Sequence, residues 1–168
     1  MTVIAWDGKT LAADKRMTYG GHFNTVTKLA RAGRYICGFS GPQQAIGGFV
    51  AWLNDGENPA TFPFGKEEEQ KVYALCIRDD GTVWKFENSP YPMRLEDTHA
   101  ASGSGRDYAR AAMHLGKSAR EAVEIACLFD ESCGNGVDTL SFDEDFSIDR
   151  EPFRPEMSID VSGFPSCR

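Results

Sequence analysis

Residues 2–16 read TVIAWDGKTLAADKR. Two short apolar segments flank Asp7-Gly8, a dipeptide that favours the positive backbone angles of a tight hairpin turn. The first strand is expected over residues 3–6 and the second over Thr10–Ala13. The second runs straight into Asp14. A carboxylate placed behind an apolar LAA segment lies in a sheet or at its edge, where an unpaired charge is costly. Arg16 and Lys28 are the candidate cationic partners.

The rest of the chain extends this start into layers. Thr25–Leu29 and Arg34–Phe39 are read as two further strands joined across Ala32-Gly33. The period then changes in SGPQQAIGGFVAWLND. Pro42 sits where a first helical turn tolerates it, and Ala45, Ile46, Phe49, Val50 and Leu53 share one helical face. A loop rich in Gly, Pro and charge follows. KVYALCIRDDGTVWKFEN is a hairpin around Asp80-Gly81, with Val72, Ala74 and Cys76 on one face and Tyr73, Leu75 and Ile77 on the other. Apolar residues on both faces predict burial on both sides.

After a short polar link, THAASGSG forms a strand, and a helix spans Arg106–Leu115 with Gly116 as its stop. Ser118 and Glu121 form a capping box for a second helix, which buries Ala122, Ile125, Ala126 and Phe129. VDTLSF is the next strand. Strands, helix, strands, helix pair and strand make an α+β protein. Two stacked sheets between helical layers account for the strands that are apolar on both faces. The 168 residues form one domain, with residues 143–168 as a polar tail that adds an edge strand at Met157–Val161 or wraps the surface.

Hydrophobic residues at 41% and charged residues at 26% are ordinary globular values, and the net charge is −7. The acidic balance argues against nucleic acid or an anionic membrane as partner. The sequence holds no run of 18 apolar residues and no signal-peptide pattern, so a cytoplasmic location is expected. Its five cysteines are scattered without a CxxC, and its three histidines lie on separate segments. Reduced thiols and no metal site are expected.

Several groups carry possible chemistry. Methionine aminopeptidases remove Met1 before a small residue such as Thr2. Removal leaves a threonine whose α-amine has an ordinary pKa of about 7.7–8.0. Such an amine serves as a general base for the hydroxyl on its own residue; the plainer alternative is a β-branched residue opening a strand. A lysine such as Lys28 near that hydroxyl lowers its pKa; otherwise it forms a weak surface pair. GFSGPQQA turns into a helix N-terminus with free N–H groups suited to an oxyanion. SGSG lacks the ending of a phosphate loop. Cys133, in DESCGNG, stands at a helix C-terminus, which disfavours a thiolate.

Taken in order along the chain, AADKR, GFSG, SGSG and DESCGNGVD are jointly specific. They resemble the proteasome β-subunit family of N-terminal-nucleophile hydrolases, and especially the small bacterial proteasome-like peptidases of the HslV type. The resemblance runs from Thr2 to about Phe142. It implies a four-layer αββα sandwich and a threonine-type peptidase without cofactor. Thr2 is then the nucleophile, Lys28 the active-site lysine, Asp14 its carboxylate partner and Gly41 the oxyanion donor. Ser104 and Asp130 position the N-terminal amine, with Arg16 and Cys133 as supporting residues. Cys133 stands where the family often has Ser or Thr, and the first hairpin is shorter than in most members. Met17, Thr18, Phe39 and Gly41 would bind an extended peptide. The resemblance also implies a homo-oligomeric ring of six or seven subunits, single or stacked in pairs, that degrades unfolded polypeptides, with an unfoldase ATPase as a candidate partner. Two alternatives stand beside it: an amidase for a small amide, and a catalytically silent ring subunit.

Overall fold

Asp7 fixes the first hairpin. Its Oδ1 accepts the N–H groups of Lys9 at 3.0 Å and Thr10 at 2.8 Å, which closes the turn between β1 (Val3–Trp6) and β2 (Leu11–Asp14). Its Oδ2 accepts Ala119 N–H at 2.7 Å, pinning the hairpin tip to the start of a distant helix. Burial opposes the Asp7 charge, but the backbone N–H groups of Ala119, Thr10 and Lys9 outweigh it. The carboxyl therefore lies below its ordinary pKa. The structure is a computed structural model, and it describes residues 1–64 and 71–143.

The remaining elements follow in chain order. They are β3 (Arg16–Tyr19), β4 (His22–Thr25), β5 (Leu29–Ala32), β6 (Tyr35–Ser40) and α1 (Gln43–Asn54). After these come β7 (Tyr73–Arg78), β8 (Val83–Glu87), β9 (Met93–Leu95), β10 (Ala100–Gly103), α2 (Arg106–His114), α3 (Ala119–Phe129) and β11 (Val137–Leu140). One antiparallel sheet has the order β10-β1-β2-β11 and the other β5-β6-β7-β8-β9. Among the described residues, strands β3 and β4 form a two-stranded sheet of their own.

Side-chain alternation sorts the strands into layers. Val3, Ala5 and Ala12 point outward onto α2 and α3, where Ala109, Met113, Ala122, Val123 and Ala126 meet them. Ile4, Trp6, Leu11 and Ala13 point inward and pack on Leu29, Ile36, Leu75 and Ile77 of the facing sheet. The outer face of that sheet (Tyr35, Cys37, Phe39, Val72, Ala74, Cys76, Phe86) is covered by Ile46, Phe49, Trp52 and Leu53 of α1. Helix, sheet, sheet and helix make the expected αββα sandwich. The Ser118–Glu121 capping box is present at α3, and Gly116, at φ +83°, ends the preceding helical segment.

The structure departs from the sequence expectations at several places. The second strand begins one residue later and includes Asp14. Thr25–Leu29 is not a strand. Thr25 instead ends β4, which forms a hairpin with β3 turning on Gly20-Gly21 at φ +58° and +80°, Leu29 begins β5, and Lys28 falls just before it. The polar link before THAASGSG holds the short strand β9. In α1, Trp52 is buried, while Ala45 and Val50 are only half-buried. Tyr73, at the strand edge of its face, is 38% exposed. Phe129 is 65% exposed rather than buried, because it stacks on Tyr108 outside the α2–α3 pair at 5.5 Å. The strand expected at Met157–Val161 lies outside the described residues.

Candidate functional site

The site forms where β1 begins. Thr2 precedes the first strand and is 4% exposed, whereas Met1 is 73% exposed. Antiparallel pairing of Val3 with Gly103 brings the end of β10 against Thr2. Gly103 has φ +91°, and a Cβ there would overlap the Thr2 carbonyl oxygen, so only glycine allows this approach.

On one side lies a charge pair. The Lys28 ammonium donates to Asp14 Oδ1 at 2.7 Å, and both side chains are almost fully buried. Asp14 is satisfied further by three backbone donors: Val3 at 2.9 Å, Arg16 at 3.1 Å and Gly134 at 3.0 Å. The carboxylate thus joins the start of β1, the end of β2 and the 130–136 loop. Lys28 Nζ also lies 3.4 Å from the Met1 carbonyl oxygen, and Thr2 Oγ1 donates to that same oxygen at 2.5 Å. The first carbonyl of the chain therefore sits between the threonine hydroxyl and the lysine.

On the other side lies a chain of hydroxyls. Thr2 N–H donates to Ser104 Oγ at 3.2 Å. Ser104 Oγ is 3.1 Å from Ser132 Oγ, which donates to Asp130 Oδ1 at 2.5 Å. The Cys133 thiol donates to Asp130 Oδ2 at 3.3 Å and lies 3.8 Å from Ser104 Oγ. Burial works against the Asp130 charge, but hydrogen bonding from Ser132, Ser104 and Cys133 prevails and lowers the carboxyl to about 2. Burial, followed by the Asp14 charge, pushes the Cys133 thiol up to about 12. Cys133 is accordingly a protonated donor and not a thiolate nucleophile.

A cavity of about 150 Å³ opens on Thr2. Met17, Val26, Phe39 and Ile46 give it apolar walls, and Thr18, Lys28, Gly41 and Gln43 supply its polar rim. Gly41, at φ +133°, turns the end of β6 toward α1, and a Cβ there would collide with the Lys71 carbonyl oxygen. Its N–H precedes the α1 N-terminus, where free donors favour negative charge.

The structure thus brings together Thr2, Asp14, Lys28, Ser104, Asp130 and Cys133, and it places Gly41, Met17, Thr18 and Phe39 on the cavity. Two expectations change. The Arg16 side chain does not pair with Asp14. Its guanidinium donates to Glu131 O at 2.5 Å and Asn135 Oδ1 at 3.2 Å, and lies over the Phe23 ring at 4.7 Å. Arg16 meets Asp14 only through its backbone N–H. Ser104 reaches Asp130 through Ser132, a residue not anticipated from the sequence. The available signal was the Asp-x-Ser spacing of an Asx turn, with Ser132 N–H on Asp130 Oδ1 at 3.0 Å.

No family model and no curated protein sequence matches the chain. Solved structures do match. The structure of Thiobacillus denitrificans BPH in complex with epoxomicin aligns over 83% of this chain and 96% of its own, at 17% identity and a TM-score of 0.60. Eukaryotic HslV from Trypanosoma brucei aligns over 83% of this chain and 97% of its own, at 19% identity and a TM-score of 0.57. At these identities the likeness establishes the α+β sandwich fold that the chain shares with these proteins.

Proposed function

We propose that the chain is a proteasome-like threonine peptidase whose nucleophile is Thr2, exposed by loss of Met1. One observation carries this reading: the Thr2 nitrogen and hydroxyl are each served by a separate set of groups. The nitrogen faces Ser104. The hydroxyl faces the carbonyl oxygen that Lys28 also approaches, 3.4 Å away. With Met1 gone, the freed amine takes the hydroxyl proton through a water, and Oγ1 attacks a peptide carbonyl. Lys28, held by Asp14, supplies positive charge beside the attacking oxygen. Gly41 N–H stabilises the oxyanion. The amine then returns its proton to the leaving nitrogen, an acyl ester forms on Thr2, and water hydrolyses it. The Thr18 and Gly41 backbones hold the substrate as an added strand, while Met17 and Phe39 shape the pocket for the residue before the scissile bond.

In the same reading, the chain would work as a homo-oligomeric ring acting on unfolded polypeptides, with an unfoldase ATPase as a candidate partner. Intact mass tests the first step, since the active species must have lost Met1. Thr2→Ala must abolish cleavage of fluorogenic peptides. A variant that cleaves as well as wild type removes Thr2 from the mechanism. Native mass spectrometry counts the subunits. Epoxomicin, seen with the Thiobacillus protein, should add its mass once per processed subunit and not to Thr2→Ala.

A further inference from the structure

Ser104 is exposed and rotatable, yet it is the residue that must keep an acceptor aimed at the Thr2 nitrogen. Its own proton has two possible acceptors, Thr2 O at 3.3 Å and Ser132 Oγ at 3.1 Å. If the proton goes to Thr2 O, it is turned away from the Asp130 side. If it goes to Ser132, Ser104 joins a directed chain that ends on a carboxylate. Ser132 decides between these. It is only 8% exposed, and its hydroxyl is committed to Asp130 Oδ1 at 2.5 Å. Its Oγ is therefore left as an acceptor facing Ser104. Cys133, adjacent in sequence, cannot take this part. Its sulfur is 3.8 Å from Ser104, and its proton goes to the other oxygen of Asp130.

We propose that Ser132 is a positioning residue, which fixes the direction of the Ser104 hydroxyl and links the Thr2 nitrogen to the charge of Asp130. The proposal rests on Thr2 being the nucleophile. When Oγ1 attacks, the C–O bond forms, the carbonyl π pair moves onto the oxygen that Gly41 N–H faces, and the hydroxyl proton passes to the amine. The resulting ammonium donates to Ser104 Oγ, Ser104 donates to Ser132 Oγ, and Ser132 donates to Asp130. No proton leaves this chain, and each hydrogen bond strengthens as the nitrogen becomes positive. The charged or titratable groups around Thr2 are Lys28, Asp14 and Arg16 on one side, and Asp130 and Cys133 on the other. Of these, Asp130 is the carboxylate that the hydroxyl chain connects to the nitrogen.

The test compares Ser132→Ala, Ser132→Thr and Thr2→Ala in processed enzyme, with peptide cleavage followed across pH. Ser132→Ala should lower kcat about 10-fold, the effect of losing roughly one net hydrogen bond, with KM within about 2-fold because no substrate contact is lost. The acid limb of kcat/KM should move to lower pH, because an ammonium cut off from Asp130 loses its proton more readily. Ser132→Thr, which restores the hydroxyl, should recover kcat to within about 3-fold of wild type. A merely structural role would change Tm and leave the acid limb in place. Unchanged kcat and an unchanged acid limb in Ser132→Ala, with Thr2→Ala inactive, overturn the role of Ser132 alone. Activity in Thr2→Ala overturns the underlying peptidase reading as well. If Ser132→Ala shows no cooperative unfolding, Ser132→Cys replaces it; a thiol is a weak donor and must lower kcat at least about 3-fold. Wild-type kcat in that variant overturns the proposal.

Discussion

The Asp14–Lys28 pair should respond asymmetrically to removal of its two members. In Asp14→Ala, Lys28 stays buried without the carboxylate it donates to at 2.7 Å. An uncompensated buried charge costs about 3–5 kcal/mol. Three N–H groups, of Val3, Arg16 and Gly134, also lose their acceptor, at about 1–3 kcal/mol for each that stays dry. Even with partial rescue by water, the loss should reach about 5 kcal/mol, the low end of a whole domain's stability. In Lys28→Met the carboxylate keeps its three N–H donors, and these compensate the charge where it sits. The loss is then one charge-assisted hydrogen bond, about 1.5–3 kcal/mol. That corresponds to roughly 3–12 °C in Tm for a chain of this length. Urea unfolding at fixed protein concentration measures both, with the buried Trp6 and Trp52 as fluorescent probes. Both variants should be inactive, so stability is the discriminating quantity. A Lys28→Met variant as destabilised as Asp14→Ala, or more so, would refute the inference that the backbone donors carry the carboxylate.

Other consequences are more local. Gly41→Ala should lose peptide cleavage and several degrees of Tm together, because the new Cβ meets the Lys71 carbonyl and φ +133° disfavours any side chain; normal cleavage would show that the turn adapts. Ser118→Ala should cost about 1 kcal/mol in urea unfolding without affecting kcat, since it breaks the α3 capping box far from Thr2. Asp130 carries a pH signature. Its folded pKa, about 2, lies below the ordinary 3.8, so its stabilisation is complete above pH 3.8 and is lost as pH falls toward 2. The stability gap between wild type and Asp130→Asn should therefore be constant from pH 5 to 7 and close between about pH 4 and 2. A gap independent of pH would mean that the carboxylate charge contributes nothing.

Much of the sandwich is legible in the sequence because two-sided burial leaves a mark. Residues 72–77 are apolar on both faces, and only a sheet covered twice needs that. Asp7-Gly8 and the Ser118–Glu121 box are local signals whose chemistry acts within four residues, so both appear where expected. The β3–β4 hairpin has no such mark. All of β4 is exposed, so its residues carry no period of two, and no strand is read before Thr25. Phe129 illustrates the opposite error, an apolar residue in phase with a helix face but exposed at the last position of α3, where it stacks on Tyr108. At the site, residue types alone indicate Asp14 and Lys28, because a carboxylate behind an apolar strand requires a cation. They do not decide between Lys28 and Arg16. That choice depends on the 131–135 loop, which captures the Arg16 guanidinium across more than a hundred residues. Ser132 was hidden for the same reason, since its partner Ser104 comes from β10's end and only the folded pairing brings them together.

The boundary between Met1 and Thr2 has a practical side. Thr2 is enclosed, Met1 is in the open, and both line the same cavity. Anything fused ahead of Thr2 must leave through that opening and so stands in the place of a substrate. An amino-terminal purification tag would thus act as a tethered plug. Under the peptidase reading, such a preparation would give a blank assay, and the blank would describe the tag rather than the chain.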